Sequence, residues 1–139
     1  IKMGDLVLPT EAIRDEGTSY HYLKAGEAAV TSEALRNRIA AILDEREIAY
    51  LTGTVWTTDA IFRETRSRVD RRRDAGALLV EMECSALSAV AAFRGVDYAQ
   101  ILYGADDLSG EEWDNRNWRN ATELREGLFW IAVDAVLAE

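Results

Sequence analysis

The junction at residues 77–95 constrains this chain most. Ala77, Leu78, Leu79 and Val80 form a short apolar run that reads as a buried strand. Cys84 to Arg94 follows at once with helical spacing, placing Leu87, Val90 and Ala91 on one face, and Gly95 stops it. A strand passing so abruptly into a helix belongs to an α/β fold. Val80-Glu81-Met82-Glu83 is the seam, so two carboxylates and a thioether stand where the strand ends. In open α/β sheets that edge is where ligands bind, and a carboxylate there gains from the positive end of the helix dipole.

The same alternation runs along the chain. Asp5 to Leu8 reads as a strand ended by Pro9. Glu11 to Glu27 is polar and reads as a long ordered loop holding Tyr20, His21 and Tyr22, of a length often functional. Thr31 or Ser32 caps a helix to about Glu45, with Leu35, Ile39, Ile42 and Leu43 facing the core. Ile48 to Trp56 is apolar on both faces, as in a central strand. Arg63, Arg66, Arg68, Arg71, Arg72 and Arg73 form the basic cluster, which beside Asp70 and Asp74 reads as a solvated helical face. Tyr98 to Tyr103 is a further strand, and Asn120 to Leu137 is a closing helix with Leu124, Leu128, Ile131 and Ala135 in phase. Strands alternating with helices over 139 residues, without repeats or a linker, make one α/β domain.

Composition excludes several classes of function. There are 25 acidic against 16 basic residues, a net charge of −9, which argues against nucleic acid as a partner. No apolar run approaches membrane-spanning length. The one cysteine, Cys84, excludes an internal disulfide and points to a reducing cytoplasm. One histidine and one cysteine cannot build an ordinary zinc site. A magnesium site of carboxylates at Asp106, Asp107 and Glu111 stays open as an alternative.

Three expected strand ends carry Asp59, Glu83 and Asp106. If the strands are parallel neighbours, these acids share one crevice. A carboxylate at a helix start accepts hydrogen bonds from two vicinal hydroxyls, and Met82 offers a soft surface to a sugar ring. A second carboxylate, Asp106, can protonate a leaving group, and together they suit cleavage of a glycosidic bond through an oxocarbenium-like transition state. The bland alternatives are that Glu81 pairs with an arginine, Glu83 caps the helix, Asp59 caps a helical turn and Asp106-Asp107 is a turn. The site reading requires Glu83 and Asp106 to face one hollow.

Val80-Glu81-Met82-Glu83-Cys84-Ser85-Ala86-Leu87 resembles the Glu-Met-Glu signature of the nucleoside phosphorylase superfamily, which includes uridine phosphorylase, hexameric-type purine nucleoside phosphorylase and methylthioadenosine nucleosidase. Gly4 to Leu8 with Arg14 to Ser19 is similar to the start of that family's C-terminal half. Thr57 to Phe62 resembles its base-pocket segment, and Gly104-Ala105-Asp106-Asp107 resembles its Ser-Asp motif. The resemblance implies the C-terminal part of a phosphorylase/hydrolase-like three-layer fold with a mixed central sheet. It implies that Glu83 binds the ribose 2′- and 3′-hydroxyls, that Met82 packs on the sugar, and that Val80 and Glu81 line the pocket. Ile61 falls where relatives often place a base-stacking phenylalanine, with Phe62 beside it. Asp106 would donate to a purine N7, supported by Arg119 or Arg116.

Departures from the pattern are Ala105 for the usual serine, Ile61 for phenylalanine, and Thr65 and Ser67 where the uridine branch has glutamine and arginine. The resemblance also implies no cofactor, phosphate as co-substrate, and a homo-oligomer as dimer or hexamer. The phosphate-binding glycine and arginines of the family lie in its N-terminal half. On this reading residues 1–139 are an N-terminally truncated domain, inactive alone. The other readings are a nucleosidase, which would use water, and a non-catalytic nucleoside-binding module.

Overall fold

The computed structural model describes residues 1–107, 110, 114 and 121–138. Among these residues five strands form one mixed sheet: β1 (Leu6–Asp15), β2 (Ala29–Val30), β3 (Tyr50–Thr58), β4 (Val80–Glu81) and β5 (Leu102–Tyr103). The helices are α1 (Glu33–Glu45), α2 (Arg66–Asp74), α3 (Cys84–Arg94) and α4 (Thr122–Leu137). The order is β2-β1-β3-β4, with β3 parallel to both neighbours. β2 pairs antiparallel with β1 at Glu11 and Ala12, and β5 pairs antiparallel with β1 at Leu6 and Val7.

β1 is the spine, and its alternation builds two cores. Leu6 and Leu8 pack with Ile39 and Leu43 of α1 and Ile131 and Ala135 of α4. Val7 and Ala12 belong to a second cluster with Val55 of β3 and Cys84 of α3. Side chains of successive strand residues point to opposite faces, so α1 and α4 cover one face and α3 the other. This is the three-layer arrangement with a mixed sheet. α1 begins where its sequence says, with the Ser32 hydroxyl accepting from the Leu35 N–H at 3.3 Å.

Several strand limits differ from expectation. β1 does not stop at Pro9 but runs to Asp15, so Glu11–Asp15 is strand rather than loop. Proline is tolerated because the pairing with β3 shifts register between Pro9 and Glu11, where the ladder is already broken. The Thr31 hydroxyl and N–H then bind the Pro9 and Thr10 carbonyls at 2.6 and 3.1 Å. The loop proper starts at Glu16 and includes a 3₁₀ turn at Thr18–His21. Arg14 holds it: one guanidinium donates to Ser19 Oγ and to the carbonyls of Leu23, Lys24 and Glu27, at 2.7–2.9 Å.

β3 is central, as expected, but covers Tyr50–Thr58. Of the 77–80 run Val80 alone is strand, continuing to Glu81, and of the 98–103 run Leu102–Tyr103 alone. Leu78 is exposed, not buried. The buried face of α3 is Cys84, Ser85, Ser88, Ala89 and Ala91, whereas Leu87 is exposed. Of the basic cluster Arg66, Arg71 and Arg73 are exposed on α2 and Arg63 is exposed ahead of it, with Arg73 paired to Asp70 at 2.8 Å, but Arg68 and Arg72 turn inward to Asp15.

Gly95 ends α3 with φ +64°, and the Val96 N–H returns to the Ala91 carbonyl at 3.0 Å. A Cβ there would meet nothing within 4 Å, so the position needs glycine for its dihedral alone. Gly95→Ala should therefore cost about 1 kcal/mol, read as a lower urea midpoint with an unchanged slope.

Candidate active site

The C-terminal ends of β1, β3 and β4 meet at one edge of the sheet, and strand-end acids hold that edge together. Asp59 accepts the Gly17 N–H at 3.0 Å, so it ties β3 to the loop after β1 rather than capping a helical turn. Asp15 accepts from Trp56 Nε1 at 3.0 Å and pairs with Arg72 at 2.9 Å and with Arg68 at 3.7 Å. Partial burial pushes the Asp15 carboxyl up. The hydrogen bond and charge of Arg72, the indole N–H and the Arg68 charge outweigh it and hold that carboxyl below its usual range. Arg72 is thereby anchored, with its guanidinium carbon 5.9 Å from the centre of the Trp56 ring.

The Glu-Met-Glu turn divides its two glutamates. Glu81 is half-buried, and both its oxygens are engaged. Oε1 accepts the Thr57 hydroxyl, while Oε2 accepts the N–H groups of Glu83 and Cys84 at 2.8 and 2.7 Å. It makes no salt bridge to an arginine among the described residues. Burial pushes its carboxyl up, partly offset by those donors, and the Glu83 charge adds to the rise. Glu83 occupies the N-cap position of α3 but makes no capping bond. Its side chain is exposed and has no hydrogen bond or ion pair among the described residues, so its oxygens are open to a ligand at the positive end of α3. Cys84, buried at the start of α3, has its thiol pushed up to about 12 by burial and the Glu81 charge, which makes it an unreactive core residue.

Beside this turn lies a cavity of about 320 Å³. Val80 and Glu81 line it together with Asp106 and Asp107, the Leu102–Ala105 stretch, Trp56, and Val69, Arg72 and Arg73 of α2. Of the acids Asp59, Glu83 and Asp106 expected to converge on one crevice, Asp106 lines this cavity with Val80 and Glu81, and Asp59 does not; the convergence is therefore partial. It does not extend to Met82, 42% exposed, nor to Glu83, which stands exposed at the surface outside the lining, so Glu83 and Asp106 do not share one hollow as the site reading required. Ile61 and Phe62 are also outside the lining, in a 3₁₀ turn, with Phe62 97% exposed. The strand argument fails for β5, which runs antiparallel against the start of β1. Asp106 reaches the cavity through the stretch after β5 and not as a parallel strand end. Arg119, Arg116 and Glu111 lie outside the described residues.

Glu64 is a titratable residue that the sequence did not single out. It follows the 3₁₀ turn at Ile61–Arg63 and feels Asp106: burial and then that negative charge push its carboxyl up. Nothing in its local pattern distinguishes it from a solvated glutamate. Among the described residues no group of three or more His, Cys, Asp or Glu could hold a metal ion, and no helix is long and apolar enough to cross a membrane.

The family profile described as "Phosphorylase superfamily" matches residues 1–138. The chain belongs to that superfamily. A guanosine phosphorylase of Halorubrum lacusprofundi is 33% identical over 144 residues, covering 99% of this chain and 59% of the relative. A DeoD-type purine nucleoside phosphorylase of Bacillus cereus is 33% identical over 96 residues, 68% of this chain and 40% of the relative. Among solved structures, an AMP nucleosidase from Bacteroides thetaiotaomicron superposes with TM-score 0.76 at 27% identity, covering 97% of this chain and 52% of that one. A uridine phosphorylase from Vibrio fischeri gives 0.77 at 28% identity, covering 98% and 56%. This member of the superfamily therefore spans well under two thirds of the length of these relatives.

Proposed function

We propose that this chain carries the nucleoside-binding part of a nucleoside phosphorylase, a pentosyltransferase that reversibly cleaves the N-glycosidic bond of a purine or uridine nucleoside with phosphate. The observation that carries the reading is the divided glutamate pair: Glu81 is taken up by the protein in the lining of the cavity that holds Asp106, while Glu83, outside that lining, is open at the start of α3. In the proposed reaction Glu83 accepts hydrogen bonds from the ribose 2′- and 3′-hydroxyls and Met82 packs on the sugar. Asp106, supported by Arg119, hydrogen-bonds the base, at N7 if it is a purine. The C1′–N bond breaks with its electron pair moving to the base, and a phosphate oxygen forms the new bond to C1′. Val80, Ile61 and Phe62 belong to the base side on this reading. Asp106, together with the guanosine and purine nucleoside phosphorylases among the relatives, favours a purine slightly over uridine. The similarity to an AMP nucleosidase keeps a second reading in play, the same cleavage with water as nucleophile.

The family supplies phosphate-binding residues from its N-terminal half, so we propose that residues 1–139 alone bind nucleoside without releasing base, and that the enzyme is a homo-oligomer needing no cofactor. The test is titration of the chain with guanosine, uridine and the free bases. Glu83→Ala should weaken nucleoside binding about tenfold or more, the worth of a charged hydrogen bond, and leave free-base binding unchanged. Nucleoside binding that ignores Glu83 overturns the ribose assignment. Base release by this chain at the rate of an intact enzyme overturns its predicted inactivity. Base release that needs no phosphate favours the nucleosidase.

A further inference from the structure

Thr57 is wholly buried at the C-terminal end of β3, and its hydroxyl does two things at once. It accepts the Ser85 N–H at 3.0 Å and donates to Glu81 Oε1. The other oxygen of that carboxylate accepts the N–H groups of Glu83 and Cys84. Three consecutive N–H groups at the start of α3, which a helix leaves without internal partners, are thus gathered on a single strand residue, two of them through Glu81. β4 pairs with β3 only at Trp56–Val80 and Thr57–Glu81, so the ladder gives the turn little other restraint. A valine would have the shape of Thr57 and neither bond.

We propose that Thr57 is a positioning residue for the nucleoside site. Through Glu81 it fixes the backbone from which Met82 and Glu83 project, and so sets the direction in which Glu83 meets the ribose. The ribose part rests on the proposed function; the lock on the turn does not. Glu81 is then a positioning residue as well, acting inside the protein rather than on the ligand. Side chains that hold a binding group in place are what make its geometry reproducible.

The experiment compares Thr57→Val and Thr57→Ser with the unaltered chain by amide hydrogen exchange and by nucleoside titration. In Thr57→Val the Glu83, Cys84 and Ser85 amides should exchange about tenfold faster or more, and nucleoside affinity should fall by about the same factor, with free-base affinity unchanged. Thr57→Ser, which keeps the hydroxyl, should restore both to within about twofold. Equal losses of nucleoside and free base, or no rescue by serine, would reduce Thr57 to a general stabiliser and overturn the proposal. If Thr57→Val does not fold, the unaltered chain still decides: Cys84 and Ser85 amides exchanging as fast as that of exposed Phe62 would mean there is no lock. Slow exchange at these amides with no response of nucleoside binding to Glu83→Ala would instead sink the ribose reading and leave the lock standing.

Discussion

Glu16→Ala should destabilise the fold by about 3 kcal/mol at neutral pH, because it removes the acceptor for two buried donors at about 1–3 kcal/mol each. Glu16 is only 7% exposed, and its carboxylate accepts the Ser19 N–H at 2.9 Å and the Ser85 hydroxyl at 2.7 Å. It therefore joins the loop after β1 to the first turn of α3, the helix that carries Glu83 at its start. Burial raises its carboxyl pKa, but the donors from Ser19, Ser85 and Thr18 outweigh burial and lower it from 4.5. The sign follows from linkage. A carboxyl depressed in the folded state contributes stability that is fully present above its unfolded value and lost as the pH falls through the folded one. Asp15, lowered from 3.8, acts in the same direction. Glu81, raised from 4.5, acts in the opposite one: its contribution is present at low pH and lost as the pH rises through its folded value.

The measurement is the urea midpoint between about pH 7 and 3. The unaltered chain should lose stability as the pH falls below the ordinary carboxylate range. Glu16→Gln, which cannot ionise, should be less stable than the unaltered chain at neutral pH and show a shallower acid limb. An acid limb of unchanged slope would mean that Glu16 is not the depressed group and that its buried bonds are worth little.

How much of this was legible in the sequence depends on whether local pattern or tertiary pairing decides the outcome. Ser32 before an apolar-periodic run, and Gly95 after one, are local signals, and α1 and α3 begin and end where they say. The strand at 6–15 was truncated in the reading because Pro9 lacks an N–H. What rescues it is a register shift against β3, a property of two chain segments that neither reveals alone. The acids show the same limit more sharply. Asp15, Glu16, Asp59 and Glu81 all sit at strand ends and look alike in sequence, yet each holds a backbone N–H, a side-chain donor or a guanidinium of the protein. Among the described acids of this edge, Glu83, two residues beyond Glu81 on the same turn, is left open. Spacing put the glutamates at the strand-to-helix turn but could not say which one the fold consumes. Arg72 was lost in a basic cluster that is otherwise solvated, because its partner Asp15 lies 57 positions earlier.

The two faces of the sheet allow stability to be separated from ligand binding. Leu43 is fully buried between β1 and α4, in the cluster that holds Leu6, Leu8, Ile39, Ile131 and Ala135. Val7, Val55 and Cys84 form the other cluster, under α3. Leu43→Ala removes three heavy atoms from a site closed by three elements, and should cost about 3 kcal/mol, within the range for leucine truncations that leave a cavity. That is a large share of the 5–15 kcal/mol that holds an ordinary domain together, so the urea midpoint should drop steeply. Nucleoside affinity in the folded state should change little, because the Thr57–Glu81 lock does not draw on that layer and the lining of the cavity meets it at Tyr103 alone. Truncation on the α3 side should behave differently: Val55→Ala removes packing beneath the helix that carries the turn, and should weaken nucleoside binding as well as stability. Equal effects of the two substitutions on binding would mean that the sheet does not insulate its faces, and that the site depends on the whole core rather than on the α3 layer.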